Sequence, residues 1–295
     1  MSEQEEFFKR YGHLHIGGMY LTVEELYKPI KERLESGRKI IAMIPGRLGS
    51  QRIKKKNLRL ICGKPLIAFI IETAKKAQIF DEIYLNSEAE IFAEIADHYG
   101  IQFYKRPAVH ASNTATNDDF ALDFMEHVPG DILIQLLPTS PLLSSEDVKS
   151  FVNEMLTKKH DTLVSVEHKQ ISCLYQDKPI NFEIKKANPP SQTMTPVKAY
   201  ATALMGWKYD NFQQNMKKYG CAYHGGDGNI GYFELRGLAT IDIDREEDFI
   251  LAEKILMAMS YEGGTSTPSY YSVKEDLNGG VEWLDTKMIG KMRLF

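Results

Sequence analysis

A chain of 295 residues can bury a substantial core, and holds either one large α/β domain with an insertion or two smaller domains. The composition, 43% hydrophobic and 26% charged, is that of a globular protein, and no apolar stretch approaches the roughly 18 residues that span a bilayer. A net charge of −4 disfavours global binding to nucleic acid, and three widely spaced cysteines (Cys62, Cys173 and Cys221) argue against a disulfide framework or a C-x-x-C zinc site.

The N-terminus is acidic from Glu3 to Glu6 and lacks the basic-then-apolar layout of a signal peptide, which places the protein in the cytoplasm. Tyr20 to Leu34 reads as one or two amphipathic helices, with Thr22 as an N-cap, forming an accessory packing or oligomer element in residues 1–38. Lys39 to Ile44 is a short apolar run closed by Pro45-Gly46, the pattern of a strand buried on both faces. A loop carrying Gly46, Gly49 and Ser50 follows, crowded with Arg47, Arg52, Lys54, Lys55 and Lys56. Glycines admit a ligand close to the backbone, N–H and hydroxyl groups bind oxyanions, and cations supply charge, so the loop is suited to phosphate. A basic run is also commonly a solvated surface or a nucleic-acid patch, but in an acidic chain it reads better as a focused site for a small polyanion. Neither G-x-x-x-x-G-K-[ST] nor G-x-G-x-x-G occurs here, so the Walker and dinucleotide fingerprints do not apply.

Further along, helices are predicted over Pro65 to Ala77, Ile91 to Tyr99 (stopping at Gly100) and Ser144 to Met155. Strands are predicted at Glu82 to Asn86, Ile101 to Tyr104, Asp131 to Leu137 and Asp161 to Val166. Alternation at this spacing predicts βαβ units and a mainly parallel sheet, with ligands beyond the carboxyl ends of its strands. The polar segment Lys105 to Asp118 caps the helix after it through Thr116 or Asn117, or contacts a nucleotide, or both. Residues 167–200 read as irregular and proline-rich. Near the end, Ile241-Asp242-Ile243-Asp244 reads as a short strand with both carboxylates on one face, about 6 to 7 Å apart. Such a pair binds magnesium together with substrate phosphates, or else faces water on an edge strand and caps the helix starting near Arg245. From Ser260 the chain reads as a loosely ordered tail.

Four of these segments, in this order, resemble the acylneuraminate cytidylyltransferase family, which makes CMP-activated acid sugars. They are Gly46-Arg47-Leu48-Gly49-Ser50 with Lys56-Asn57, the Arg106-Pro107 loop, Pro138-Thr139-Ser140-Pro141-Leu142, and Ile241 to Asp244. The resemblance covers roughly 39–258 and implies a nucleotide-diphospho-sugar-transferase-like, Rossmann-like α/β fold: a twisted, mainly parallel sheet flanked by helices. It implies extensions at 1–38 and 259–295, and a small subdomain at about 167–200 that builds a homodimer and closes over the partner's site. It implies transfer of CMP from CTP to an acidic sugar with release of pyrophosphate, and no nucleic-acid or membrane partner. The implied triphosphate site comprises Gly46, Arg47, Gly49, Ser50, Lys56 and Asn57, with Arg106, the Ala115 backbone and Asn117 around the cytosine. Mg²⁺ is expected on Asp242 and Asp244, catalysis from Arg47, Lys56 and Asp244, and acceptor contacts from Leu137, Gln192 and Lys198. Departures from the family pattern fall at Leu137 (usually Gln), Leu143 (usually Arg), Pro190 (an Arg position) and Lys198 to Ala201 (an R-P-N-G turn). These leave open a different acid, such as a phosphonate or phosphate ester. A CTP-binding protein without catalysis and an RNA binder using Arg52 to Arg59 are the other readings.

Overall fold

The computed structural model describes residues 37–260 and, outside that span, the short strands 14–16, 19–21, 274–275 and 281–282. The helices expected within 1–38, with the Thr22 cap, lie outside the described residues, apart from Leu14–Ile16 pairing with Met19–Leu21. The chain divides into two compact units, Met1–Ala258 and Met259–Phe295; in the second, Lys274–Glu275 pairs with Val281–Glu282, and the rest of the expected tail is outside the description. No helix among the described residues is long and apolar enough to cross a membrane.

The first unit is built on a seven-stranded sheet: β1 (Ile40–Pro45), β2 (Glu82–Ser87), β3 (Gln102–Lys105), β4 (Ile132–Leu136), β5 (Thr162–Lys169), β6 (Val197–Lys208) and β7 (Ile230–Glu234). Their spatial order is β7-β5-β6-β4-β1-β2-β3. All neighbours run parallel except β6, which is antiparallel to both β4 and β5. β1 takes its central place because its apolar run can be buried on both faces: Ile40, Ala42 and Ile44 join one core, Ile41 and Met43 the other.

Helices cover both faces: α1 (Leu66–Ala77), α2 (Ile91–Tyr99), α3 (Asn117–His127), α4 (Ser145–Thr157), α5 (Tyr209–Tyr219) and α6 (Glu246–Met259). Ile67, Ile70 and Ile71 of α1, Phe92 of α2 and Phe151 of α4 pack on the first face. On the second, Phe124 of α3 and Phe212 of α5 meet Trp207 of β6. Capping boxes at Thr116/Asp119 and Ser144/Asp147 fix the starts of α3 and α4, and α2 ends on left-handed Gly100 as predicted.

Two local expectations are corrected. Residues 241–244 form no strand: the segment follows a 3₁₀ turn at Gly237–Thr240 and is held by Ile243 N–H donating to the Thr139 carbonyl at 2.8 Å, a loop contact rather than a ladder. The 167–200 segment is irregular only in its middle, because β5 and β6 continue past the sheet as a two-stranded ribbon pairing Val166 to Lys169 with Val197 to Tyr200. A bulge between Tyr200 and Met205 reorients β6, and Thr202 there takes a positive φ of 54°.

Candidate active site

Strands β1, β2, β3 and β4 are parallel and therefore end at one edge of the sheet. The residues that follow them, Gly46 and Arg47, Glu88, Arg106, and Leu137 to Thr139, all gather there, and apart from Glu88 they line a cleft of about 410 Å³. Thr202 reaches the same cleft from the bulge of the reversed strand β6. Gly46 is closely packed: a Cβ there would stand 3.1 Å from the Phe92 ring and 3.2 Å from Ile67, so those side chains would have to give way. Gly49, in contrast, has nothing within 4 Å of where a Cβ would stand, so the turn stays open on its outer side.

The cationic turn and the acidic pair, almost 200 residues apart in sequence, meet in this cleft. The cause is a small apolar cluster in which Ile53 of the basic loop and Ile243, between the two aspartates, are buried with Ile61, Leu66, Phe249 and Ala252. With Ile53 and Ile243 turned inward, Arg52, Asp242 and Asp244 line the cleft. The arrangement is pinned beside the cluster, where Arg59 holds Glu246 through both guanidinium nitrogens and lies over the Phe249 ring at 4.0 Å. Replacing Ile243 with Ala should therefore cost about 2–4 kcal/mol in denaturant unfolding, the usual range for a fully buried aliphatic truncation, and loosen the acidic pair as well.

Within the cleft, Arg52 grips Asp244 with two nitrogens, each at 2.8 Å, and Lys56 Nζ lies 3.5 Å from the same carboxylate while donating to the Ile243 carbonyl. Burial lowers the Lys56 pKa, with Asp244 and Asp242 opposing the shift. Burial raises the Asp242 pKa, a hydrogen bond from Thr139 opposing and the nearby Asp244 adding to it. Asp242 Oδ1 is buried with no hydrogen-bond partner. Arg47 lines the cleft without an acidic partner among the described residues. Arg106 is 3% exposed; its Nη2 donates to the Gly46 carbonyl at 2.8 Å, and its guanidinium lies 4.9 Å from the centre of the Phe120 ring.

Of the residues expected from sequence, Gly46, Arg47, Ser50, Lys56, Asn57, Arg106, Leu137, Asp242 and Asp244 line the cleft. Gly49, Ala115, Asn117, Gln192 and Lys198 do not. Asn117 opens α3 and accepts a hydrogen bond from Gln135 of β4 at 2.9 Å, leaving its own Nδ2 buried without a partner. Ala115 N–H donates to Ser112. Gln192 sits exposed in the middle segment, its carbonyl accepting from Gln170. Lys198 lies on the ribbon, 5.3 Å above the Tyr232 ring. Leu143, a departure from the family pattern, is buried in the core and does not line the cleft, whereas Leu137 does. Sequence reasoning missed Phe120 and Thr202 as lining residues, and Arg52 as the partner of Asp244. Arg52 was visible within the basic run, but Thr202 depends on a bulge with no sequence mark.

An oxygen-liganded cation fits this donor set. Two carboxylates with one buried, unpartnered oxygen suit an ion that takes its remaining ligands from phosphates and water. Among the described residues no group of three or more His, Cys, Asp or Glu offers a self-sufficient cage.

Residues 41–262 match the family described as Cytidylyltransferase. An N-acylneuraminate cytidylyltransferase of Escherichia coli O18:K1:H7 is 30% identical over 182 residues, covering 60% of this chain but only 39% of the relative. The post-translational flagellin modification protein B of Campylobacter coli is 28% identical over 235 residues, covering 74% of this chain and 94% of that one. The solved structure of CMP:2-keto-3-deoxy-manno-octonic acid synthetase complexed with CTP shares the fold at a TM-score of 0.58 and 16% identity, over 75% of this chain and 99% of the other. With three quarters of its length inside the family match, the chain belongs to the cytidylyltransferase family.

Proposed function

We propose that the protein transfers CMP from CTP to an acidic sugar of the nonulosonate kind, or a related acid, releasing pyrophosphate. The observation that carries this reading is the convergence of Arg47, Lys56, Asp242 and Asp244 on one cleft at the carboxyl edge of the sheet. Arg47, Ser50, Lys56 and Asn57 hold the triphosphate, with Arg47 and Lys56 balancing the charge that grows on the leaving pyrophosphate. Arg106, fixed against Gly46 and Phe120, reads the cytosine edge from the same cleft. Asn117 and Ala115 lie outside the cleft, so for the unpaired Nδ2 of Asn117 to reach the base acceptors their loop must move when nucleotide binds.

In the reaction, an acceptor oxygen attacks the α-phosphorus in line. The new O–P bond forms as the bond from the α-phosphorus to the α–β bridging oxygen breaks, and pyrophosphate leaves with the bonding pair. The hydroxyl proton passes to Asp244, the more exposed of the two carboxylates. Asp242 and Asp244 are the groups that hold Mg²⁺, which when bound lowers the acceptor's pKa and shields the α-phosphate charge.

Leu137 puts an apolar surface in the cleft, which supports an acceptor with an apolar substituent, or a smaller acid such as a phosphonate, over one that needs a Gln contact there. The middle of 167–200 exposes Ile171, Leu174, Tyr175, Ile180 and Ile184, an apolar set that supports its use as a homodimer arm carrying Gln192 and Lys198 toward a neighbouring acceptor. Pyrophosphate release from CTP, measured with a panel of nonulosonic acids, octulosonic acids, phosphonates and phosphate esters, tests the reading. Release with at least one acid and with CTP in preference to UTP, ATP and GTP is expected; none with any acid or nucleotide contradicts it.

A further inference from the structure

Glu88 follows the last residue of β2 and lies in none of the four segments that carry the family resemblance. Its Oε1 accepts the Leu48 N–H at 2.9 Å, inside the glycine turn of the phosphate loop. Its Oε2 faces Arg106 Nη2 at 3.3 Å, and the same nitrogen donates to the Gly46 carbonyl at 2.8 Å. One carboxylate thus closes a ring through the start of the turn, its middle and the base-facing guanidinium. The pair is sheltered, with the Arg106 side chain 3% and the Glu88 side chain 19% exposed, so salt and water screen it little. Arg106 Nε is buried without a partner, and the guanidinium is held by the Phe120 ring and by acceptors at Nη2, a frame that fixes its orientation.

We propose that Glu88 is a positioning residue that makes the geometry of the phosphate turn and the orientation of Arg106 a single unit, so that base selectivity and triphosphate affinity are coupled. This rests on the reading of the cleft as a CTP site. Glu88→Gln keeps an oxygen for Leu48 N–H but removes the charge that faces Arg106. Glu88→Ala removes both partners.

The test is calorimetric titration of the full-length chain with CTP, UTP and inorganic triphosphate, with thermal melts run alongside. A sheltered hydrogen bond between charged groups sets the scale, so in Glu88→Gln the CTP affinity and the CTP/UTP ratio should each fall about tenfold, with triphosphate affinity changed less than about twofold. Glu88→Ala should weaken triphosphate as well. In an Arg106→Ala background, Glu88→Gln should no longer move the CTP/UTP ratio, because its influence on the base travels through Arg106. Should the Gln variant fail to fold, Glu88→Asp carries the test: it keeps the charge but withdraws it by one methylene, and the CTP/UTP ratio should still shift. A purely structural role would lower the melting temperature and leave the ratio intact. A CTP-selective wild type whose ratio survives in Glu88→Gln, or in Glu88→Asp where that carries the test, overturns the assignment while leaving the cytidylyl reading in place. A wild type that binds no CTP overturns both.

Discussion

Replacing Asp242 with Asn should lower turnover by about a hundredfold or more and, in the same protein, raise the melting temperature. The buried Oδ1 has no partner, and burial pushes the Asp242 pKa up. A carboxyl whose folded pKa lies above its unfolded value makes the ionised folded state the costly one. That cost is fully present above the folded pKa and is relieved as the pH falls through it toward the ordinary aspartate value. The amide is nearly the same size and carries no charge, so at neutral pH the variant should gain on the order of 1 kcal/mol. For a domain of this size that is roughly 2–4 °C. Melts in EDTA from neutral pH down into the aspartate range should show wild type gaining on the variant as the medium acidifies. Pyrophosphate release measures the loss of turnover. A variant that is inactive and also less stable would mean that Asp242 serves the fold and has no strained functional role.

The second large effect is expected at Lys56. Its side chain is 13% exposed and tied to Ile243 and Asp244, so it is a fixed cation at the junction of the two halves of the cleft. Lys56→Ala should lower kcat by about 10²–10³, the range for removing one preorganised group that stabilises developing charge, with a smaller change in the KM for CTP. Burial depresses its pKa, so the ammonium costs stability below the folded pKa, and that cost is relieved as the pH rises through it. Activity needs the charged form. The alkaline limb of the rate profile should therefore fall below the ordinary lysine range, and Lys56→Arg, whose charge persists, should move that limb upward even if its absolute rate is lower. An alkaline limb unmoved in Lys56→Arg would assign it to another group.

Much of this was legible in the sequence because each signal is local. The apolar run of β1, closed by Pro45-Gly46, read as a strand buried on both faces, and Gly100 ended α2 where its free φ was needed. The glycine turn, the basic run and the two aspartates announced themselves by residue type. What brings them together is not local. Ile53 and Ile243 look like any other apolar residues until the fold buries them in one cluster, and only then do Arg52 and Asp244 become partners. The 241–244 segment misled for a related reason: alternation of apolar and acidic residues is the mark of a strand, but here the Thr139 carbonyl takes the N–H that a neighbouring strand would have used. Thr202 and Glu88 were invisible because a bulge and a loop-to-loop hydrogen bond leave no periodic trace. Gln192 and Lys198, expected near the acceptor, lie on the middle segment and the ribbon, outside the cleft.

The expectations for turnover depend on one triphosphate being held between Arg47 and Lys56 on one side and Asp242 and Asp244 on the other. A crystal structure of the protein with CTP and magnesium tests this directly. The account predicts the β- and γ-phosphates in the Gly46 to Ser50 turn, the cytosine against Arg106, and a cation held at Asp242 and Asp244. Nucleotide bound with its phosphates away from the aspartate pair, or Asp244 still closed on Arg52 in the complex, would contradict it.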